Sequence, residues 1–150
     1  MIRSGPLAFL KSRRDGTQKS RVKVPSETRY IRKVSSRILS SLAPYAPDEG
    51  KAFDIRLCIE EAVRNAIVHG NHSDRRKAVK VAYWVQDGNL YMEIEDEGPG
   101  FDHSKVADPT SGPHILKNSG RGVYLIKRLM DKVEYSVSGN RITMVKKLQQ

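Results

Sequence analysis

The chain has 150 residues, of which 38% are hydrophobic and 29% are charged, and it contains one cysteine, Cys58. This composition is typical of one globular domain and excludes a fold held by internal disulfides. No apolar run approaches the roughly 20 residues that span a bilayer, and Leu7–Leu10 is too short for the core of a signal peptide. We therefore expect a cytoplasmic protein.

The formal net charge is +10, and much of it lies near the N-terminus. Residues 1–24 contain seven lysines and arginines but only one acidic residue, Asp15. Such a leader can hold nucleic acid or an acidic partner, or it can be a solvated, poorly ordered terminus. We predict the second case: a basic, flexible leader over residues 1–23, followed by one domain over residues 24–150.

Hydrophobic spacing predicts three helices in the domain. The first is expected from an N-cap at Ser26 to about Ala43. The second starts near Asp48 and ends at His69-Gly70, where glycine would take a left-handed cap. The third is short and covers about Gly122–Met130.

Alternating apolar and polar residues predict two antiparallel hairpins, with turns at residues 87–89 and 138–140. Three helices on one face of a mixed, largely antiparallel sheet make an α+β fold, a two-layer sandwich. The fold class is therefore predicted before any motif is considered.

The second predicted helix carries Glu61, Asn65 and His69 at intervals of four, on one face beside the apolar stripe. A carboxylate next to a carboxamide suits a hydrated cation and a proton acceptor. An ordinary solvated helix face has the same composition, so this spacing alone does not indicate a site.

A second motif, Asp96-x-Gly98-x-Gly100, follows the strand at residues 90–94. Asp96 continues the inward face of that strand, where a carboxylate needs a hydrogen-bond donor. An exocyclic amine such as that of adenine is a fitting donor. Gly98 and Gly100 carry no side chain, which lets a ligand approach the backbone.

A third motif, Gly120-Arg121-Gly122, opens the third predicted helix. Free backbone N–H groups at a helix start suit an anion such as phosphate, and an arginine adds further donors. The long segment 102–119 lies between the second and third motifs. We interpret it as a lid over a nucleotide.

The three motifs, in this order, resemble the N, G1 and G2 boxes of the GHKL ATPase/kinase superfamily. The stretches EEAVRNAIVHGN, EDEGPGFD and SGRGVYLIKRLMD are similar to its anti-sigma factor serine-protein kinase branch. The similarity covers about residues 25–148. It implies the Bergerat ATP-binding fold.

The resemblance implies that ATP and Mg²⁺ bind to this domain. It implies that Asp96 binds the adenine amine, that Asn65 holds Mg²⁺ against the phosphates, and that Glu61 is the catalytic general base. The other implied nucleotide contacts are Gly98, Gly100, Gly120, Arg121 and Gly122. Some family members carry an arginine immediately before the Ser-Gly of the third box, where this chain has Asn118. The cation that assists phosphate transfer is therefore either Lys117 or Arg121.

The implied reaction transfers the γ-phosphate of ATP to a serine or threonine of an anti-sigma factor antagonist, which is a STAS-domain protein. The same surface region binds a sigma factor in an alternative complex, often with the kinase as a homodimer. A nucleotide-binding regulatory module without phosphotransfer is the alternative, but Glu61 favours the kinase. We expect no membrane partner. We also expect no direct binding of nucleic acid, because aromatic residues, which stack on bases, are only 7% of the chain.

Overall fold

The computed structural model describes residues 7–14, 16–100 and 118–149. Its sheet has six strands in the order β1-β2-β3-β4-β6-β5. The strands are β1 (Leu10–Arg14), β2 (Thr17–Pro25), β3 (Ala78–Gln86), β4 (Asn89–Glu95), β5 (Lys132–Tyr135) and β6 (Arg141–Lys147). Every strand pair in these ranges is antiparallel. The expectation of a mixed sheet is therefore not met within the described part of the chain.

Three helices cover one face of the sheet: α1 (Ile31–Ser41), α2 (Glu49–Asn65) and α3 (Asn118–Leu129). Alternate residues of the strands are buried, so one face of the sheet and the apolar stripes of the helices form one core. The predicted α+β sandwich is confirmed. None of the described helices is long and apolar enough to cross a membrane.

Helix α2 starts as predicted, with the Lys51 N–H donating to the Asp48 carboxylate at 2.7 Å. Its end differs from the prediction. The chain continues through one π-helical turn, Ala66–Gly70, which closes where the Asn71 N–H donates to the Ala66 carbonyl at 2.8 Å. Gly70 has no positive φ, so the expected left-handed cap is wrong. Such π turns often occur at functional sites.

Ser26 is not the N-cap of the first helix. Its side chain is 1% exposed, and its hydroxyl donates to the Lys77 carbonyl at 2.7 Å and accepts from Asn71 Nδ2 at 3.0 Å. Helix α1 begins later, after a 3-10 turn at Thr28–Tyr30. A buried hydroxyl must find a partner, and here tertiary contacts provide it.

Strands β1 and β2 lie within the segment predicted to be a flexible leader. Strand β2 pairs with β3, with Val22 opposite Val81 and Val24 opposite Val79, and both valines of β2 are buried. Residues 10–14 and 17–23 are therefore part of the sheet, which differs from the expectation of a solvated terminus. The buried residues of β2 are Ser20, Val22 and Val24, so the apolar alternation in the sequence is too short to predict a strand of nine residues. We propose that the domain includes both strands.

Candidate functional site

A cavity of about 230 Å³ lies between α2, α3, the end of β4 and the turn between β5 and β6. Two of the three predicted motifs contribute to its lining, through Asn65, Asp96 and Gly100, and α3 contributes Val123, the residue after the third motif. The walls are mostly apolar. They include Ala62, Ala66, Ile94, Ile126 and Ile142. An apolar pocket with a few polar groups is the usual form of a small-molecule site.

Asp96 lines this cavity, and one of its two carboxylate oxygens is hydrogen-bonded within the described residues. Its Oδ1 accepts from the Gly98 N–H at 2.8 Å, whereas its Oδ2 accepts no hydrogen bond from the described residues. Burial raises the pKa of Asp96, and the Gly98 hydrogen bond opposes that rise only in part. The position is fixed by Asn140, whose carbonyl accepts from the Asp96 N–H at 2.9 Å and whose Nδ2 donates to the Asp96 carbonyl at 3.2 Å.

The glycines around Asp96 allow the protein to pack on itself. A Cβ at Gly98 would overlap the Gly70 carbonyl oxygen, and a Cβ at Gly100 would overlap the Ser138 carbonyl oxygen. Gly100 also has a φ of +81°, which favours glycine. The sequence predicted that a ligand approaches the backbone where these two glycines lack a side chain. In the structure, other backbone atoms of the protein occupy both places. Contact of either glycine with a ligand remains a proposal.

The start of α3 packs against α2 at the two predicted site residues. A Cβ at Gly122 would lie 2.8 Å from Glu61 Oε2 and 3.1 Å from Asn65 Nδ2. Glu61 also accepts from Arg64 Nη1 at 3.2 Å through its other oxygen, Oε1. The Asn65 side chain makes no hydrogen bond within the described residues. A carboxylate and a carboxamide therefore lie together at the beginning of a helix.

The neighbouring Glu60 points to a different part of the molecule. Its Oε2 accepts from the Ser35 hydroxyl of α1 at 2.6 Å and lies 3.4 Å from Arg56 Nη1. Neither glutamate is among the residues that line the cavity, but Glu61 lies against Gly122 of α3. Of the two adjacent glutamates, only Glu61 lies near the predicted phosphate-binding helix start.

The other predicted residues of the third motif are described only in part. Gly120 lies within α3, and Arg121 is exposed in the same helix. The predicted lid covered residues 102–119, of which 102–117, including Lys117, lie outside the described residues. Asn118 and Ser119 belong to α3 instead.

Sequence reasoning missed Asn71, which is fully buried beneath the site. Its Nδ2 donates to Ser26 and to the Ala78 carbonyl at 3.2 Å, and its Oδ1 accepts from the Glu97 N–H at 2.7 Å. Glu97 in turn accepts from the Ala78 N–H at 2.6 Å. Asn71 thus ties the end of the α2 segment to the residue after Asp96. The available signal was an asparagine directly after the glycine that ends the helical pattern.

Comparisons with known proteins agree with this geometry. Residues 24–146 match the family described as histidine kinase-like ATPase domain. An anti-sigma F factor of Oceanobacillus iheyensis is 32% identical over 117 residues, which cover 74% of this chain and 80% of the relative. The serine-protein kinase RsbW of Bacillus subtilis is 31% identical over 137 residues, which cover 85% and 84%. An anti-sigma F factor of Geobacillus stearothermophilus is 30% identical over 111 residues, which cover 72% and 75%. The resemblance found from the three motifs is confirmed.

Proposed function

The chain belongs to the family of histidine kinase-like ATPase domains, and we propose that it is an ATP-dependent serine/threonine protein kinase of the anti-sigma factor type. In this proposal it binds a sigma factor and phosphorylates a STAS-domain antagonist. The relatives named anti-sigma F factor and serine-protein kinase support the two halves of this role.

The adenine of ATP is proposed to lie in the apolar cavity, with its amine donating to Asp96 Oδ2. The support is that Oδ1 is already used by Gly98 while Oδ2 has no partner within the described residues. A flat apolar base suits walls such as Ile94 and Ile142. Asn140 and Asn71 would act as positioning residues, because they fix the backbone on either side of the carboxylate.

The phosphates are proposed to lie at the start of α3, along Gly120, Arg121 and Gly122, where backbone N–H groups and the helix dipole favour anions. The donor set nearby fits Mg²⁺, which prefers carboxylate and carboxamide oxygens and shares its ligands with phosphates. Asn65 would hold the ion. When bound, Mg²⁺ neutralises the negative charge that the phosphates carry.

For the transfer step, Glu61 is the proposed general base. The substrate hydroxyl oxygen forms a bond to the γ-phosphorus, the bond from that phosphorus to the β–γ bridging oxygen breaks, and Glu61 accepts the hydroxyl proton. ADP leaves with the bridging oxygen. Arg121 and Lys117 are the candidates for the cation that stabilises the transferring group. The observation that carries this proposal is the packing of Gly122 against both Glu61 and Asn65.

The test is incubation of the purified chain with γ-labelled ATP, Mg²⁺ and each STAS-domain protein of the source organism. The proposal predicts label on a serine or threonine of one of them. ATP binding without transfer to any STAS protein would favour the regulatory module instead. A folded chain that does not bind ATP would overturn both alternatives.

A further inference from the structure

A second groove, of about 820 Å³, lies between the β1–β2 hairpin and the C-terminal end of α1. It shares no lining residue with the cavity that holds Asp96. Three cations line it: Lys11 and Arg13 from β1, and Arg37 from α1. We call this groove, with its three cations, the basic groove. The basic groove is separate from the proposed ATP site.

The cations of the basic groove are exposed and have no ion-pair partner among the described residues. Arg37 is held in place by the ring of Phe9, whose centre lies 5.3 Å from its guanidinium carbon. The carboxylate of Asp87 is the one acidic group among the lining residues that are described. The groove thus has an excess of positive charge, which attracts an acidic ligand.

The floor of the groove adds polar groups. Tyr83 lines it and is only 5% exposed. Ser20 lies beside it and is 8% exposed. These two hydroxyl-bearing side chains make the floor polar, so it suits a polar ligand better than an apolar one.

Strand β1 is the last strand on its side of the sheet, so the described chain leaves its outer backbone edge without a strand partner. Such an edge can accept an extended peptide as a further strand. Lys11 and Arg13 are two apart and face the groove together. A second copy of β1 would bring like charges together across the pair, whereas an acidic strand would bring opposite charges together.

We propose that the basic groove binds an extended, acidic segment of a protein partner. The segment adds to the sheet along β1, and its carboxylates lie beside Lys11, Arg13 and Arg37. The open strand edge favours a peptide over nucleic acid, because only a peptide completes the backbone hydrogen bonds of a sheet.

The probe is a fluorescein-labelled decapeptide of alternating glutamate and threonine, titrated with the full chain at low and high salt. We expect binding that weakens as salt rises, because exposed charges are screened. Arg37→Glu should weaken binding several-fold, and Lys11→Glu with Arg13→Glu by on the order of tenfold. The matched control is Lys33→Glu, an exposed cation of α1 outside the groove, which should bind as the parent does. Equal binding by all variants would overturn the proposal.

Strand addition has its own test. Two further peptides carry N-methyl groups on every second residue, in the two alternate phases. One phase should lose at least about tenfold in affinity, because it removes the N–H groups that face β1. If both bind like the parent peptide, the segment is not added as a strand and the proposal is wrong. It is also wrong if a 20-nucleotide single strand of DNA binds more tightly than the peptide. Thermal melting checks that each variant is folded. If the double variant Lys11→Glu with Arg13→Glu is unfolded, the affinity of Arg37→Glu for the peptide decides whether the groove binds it.

Discussion

Gly70 lies directly against the carboxylate of Asp96. A Cβ added at Gly70 would overlap the carboxyl group, with even its more distant oxygen, Oδ1, only 2.7 Å away. The π-helical turn that follows α2 brings Gly70 to this place. The absence of a side chain at residue 70 therefore sets the position of the group proposed to recognise adenine.

Gly70→Ala should weaken ATP binding by at least about tenfold, because the new methyl group displaces Asp96 from its place beside the cavity. Isothermal titration with ATP measures the effect. Gly50→Ala is the matched control, because a Cβ at Gly50 meets only Asp48 Oδ1, at an ordinary 3.5 Å. Unchanged ATP affinity in Gly70→Ala would show that the contact with Asp96 is irrelevant to binding.

Asp96→Asn should lower ATP affinity with little effect on the fold. The new side-chain oxygen can still accept from the Gly98 N–H, but an NH₂ group then faces the adenine amine. Two opposed donors in a half-buried site cost about 1–3 kcal/mol, which corresponds to about a 5- to 150-fold loss. A folded variant that binds ATP as tightly as the parent would remove Asp96 from adenine recognition.

The stability of the nucleotide-free protein should depend on the ionisation of Asp96. Burial raises the pKa of this carboxyl above its ordinary value of 3.8, so at intermediate pH the native state binds more protons than the unfolded state. The free energy of unfolding should therefore gain a contribution as the pH falls through the raised pKa. Asp96→Asn should lack this contribution. Urea denaturation of both proteins between pH 4 and 7 measures it, and parallel pH profiles would contradict the assignment.

Asn71→Ala should destabilise the protein, because it removes the hydrogen bonds that this buried side chain makes to the Ser26 hydroxyl, the Ala78 carbonyl and the Glu97 N–H. Each unsatisfied buried group costs about 1–3 kcal/mol, so the free energy of unfolding should fall by roughly that amount or more. Asn65→Ala is the control for stability, since the Asn65 side chain makes no hydrogen bond within the described residues. Chemical denaturation compares the two. Equal stability would show that Asn71 is not the tie between these segments.

The sequence predicted the parts of this fold that rest on local rules. Asp48 caps α2, and the turn at Asp87-Gly88 joins β3 to β4, as residue type and spacing indicate. The predictions from sequence were wrong where contacts between distant parts of the chain decide the structure. Ser26 has the residue type of an N-cap, but its partners are Lys77 and Asn71, about 50 residues away.

The candidate site shows the same division. The motifs containing Asn65, Asp96 and Gly122 were found from the sequence, and the structure brings them to one region. The contact of Gly70 with Asp96 depends on a π turn, for which the helical pattern gives no sign. Periodicity describes which face of an element is buried, but not which residue of another element meets it.

Val22→Ala tests whether the basic N-terminal segment is part of the core. Val22 is 3% exposed, so the loss of two buried methyl groups should lower the free energy of unfolding by about 2 kcal/mol. Val137→Ala is the matched control, because Val137 is fully exposed and its replacement should change stability by less than about 0.5 kcal/mol. If the two variants are equally stable, β2 does not pack as described.

The proposed phosphotransfer depends most directly on Glu61, and Glu60 provides the control within the same helix. Glu61→Gln removes the proposed base without changing the size of the side chain. Glu60→Gln changes an equivalent glutamate that contacts Ser35 and Arg56 instead of Gly122 at the start of α3. A positioned base contributes about 10²–10⁴-fold in rate.

The decisive measurement is the rate of phosphate transfer from ATP to the cognate STAS-domain protein, with ATP affinity measured in parallel for the parent and both variants. We expect that Glu61→Gln binds ATP nearly as the parent does but transfers phosphate about 10²–10⁴-fold more slowly, while Glu60→Gln transfers at close to the parent rate. Transfer by Glu61→Gln at the parent rate would contradict the assignment of Glu61 as the general base.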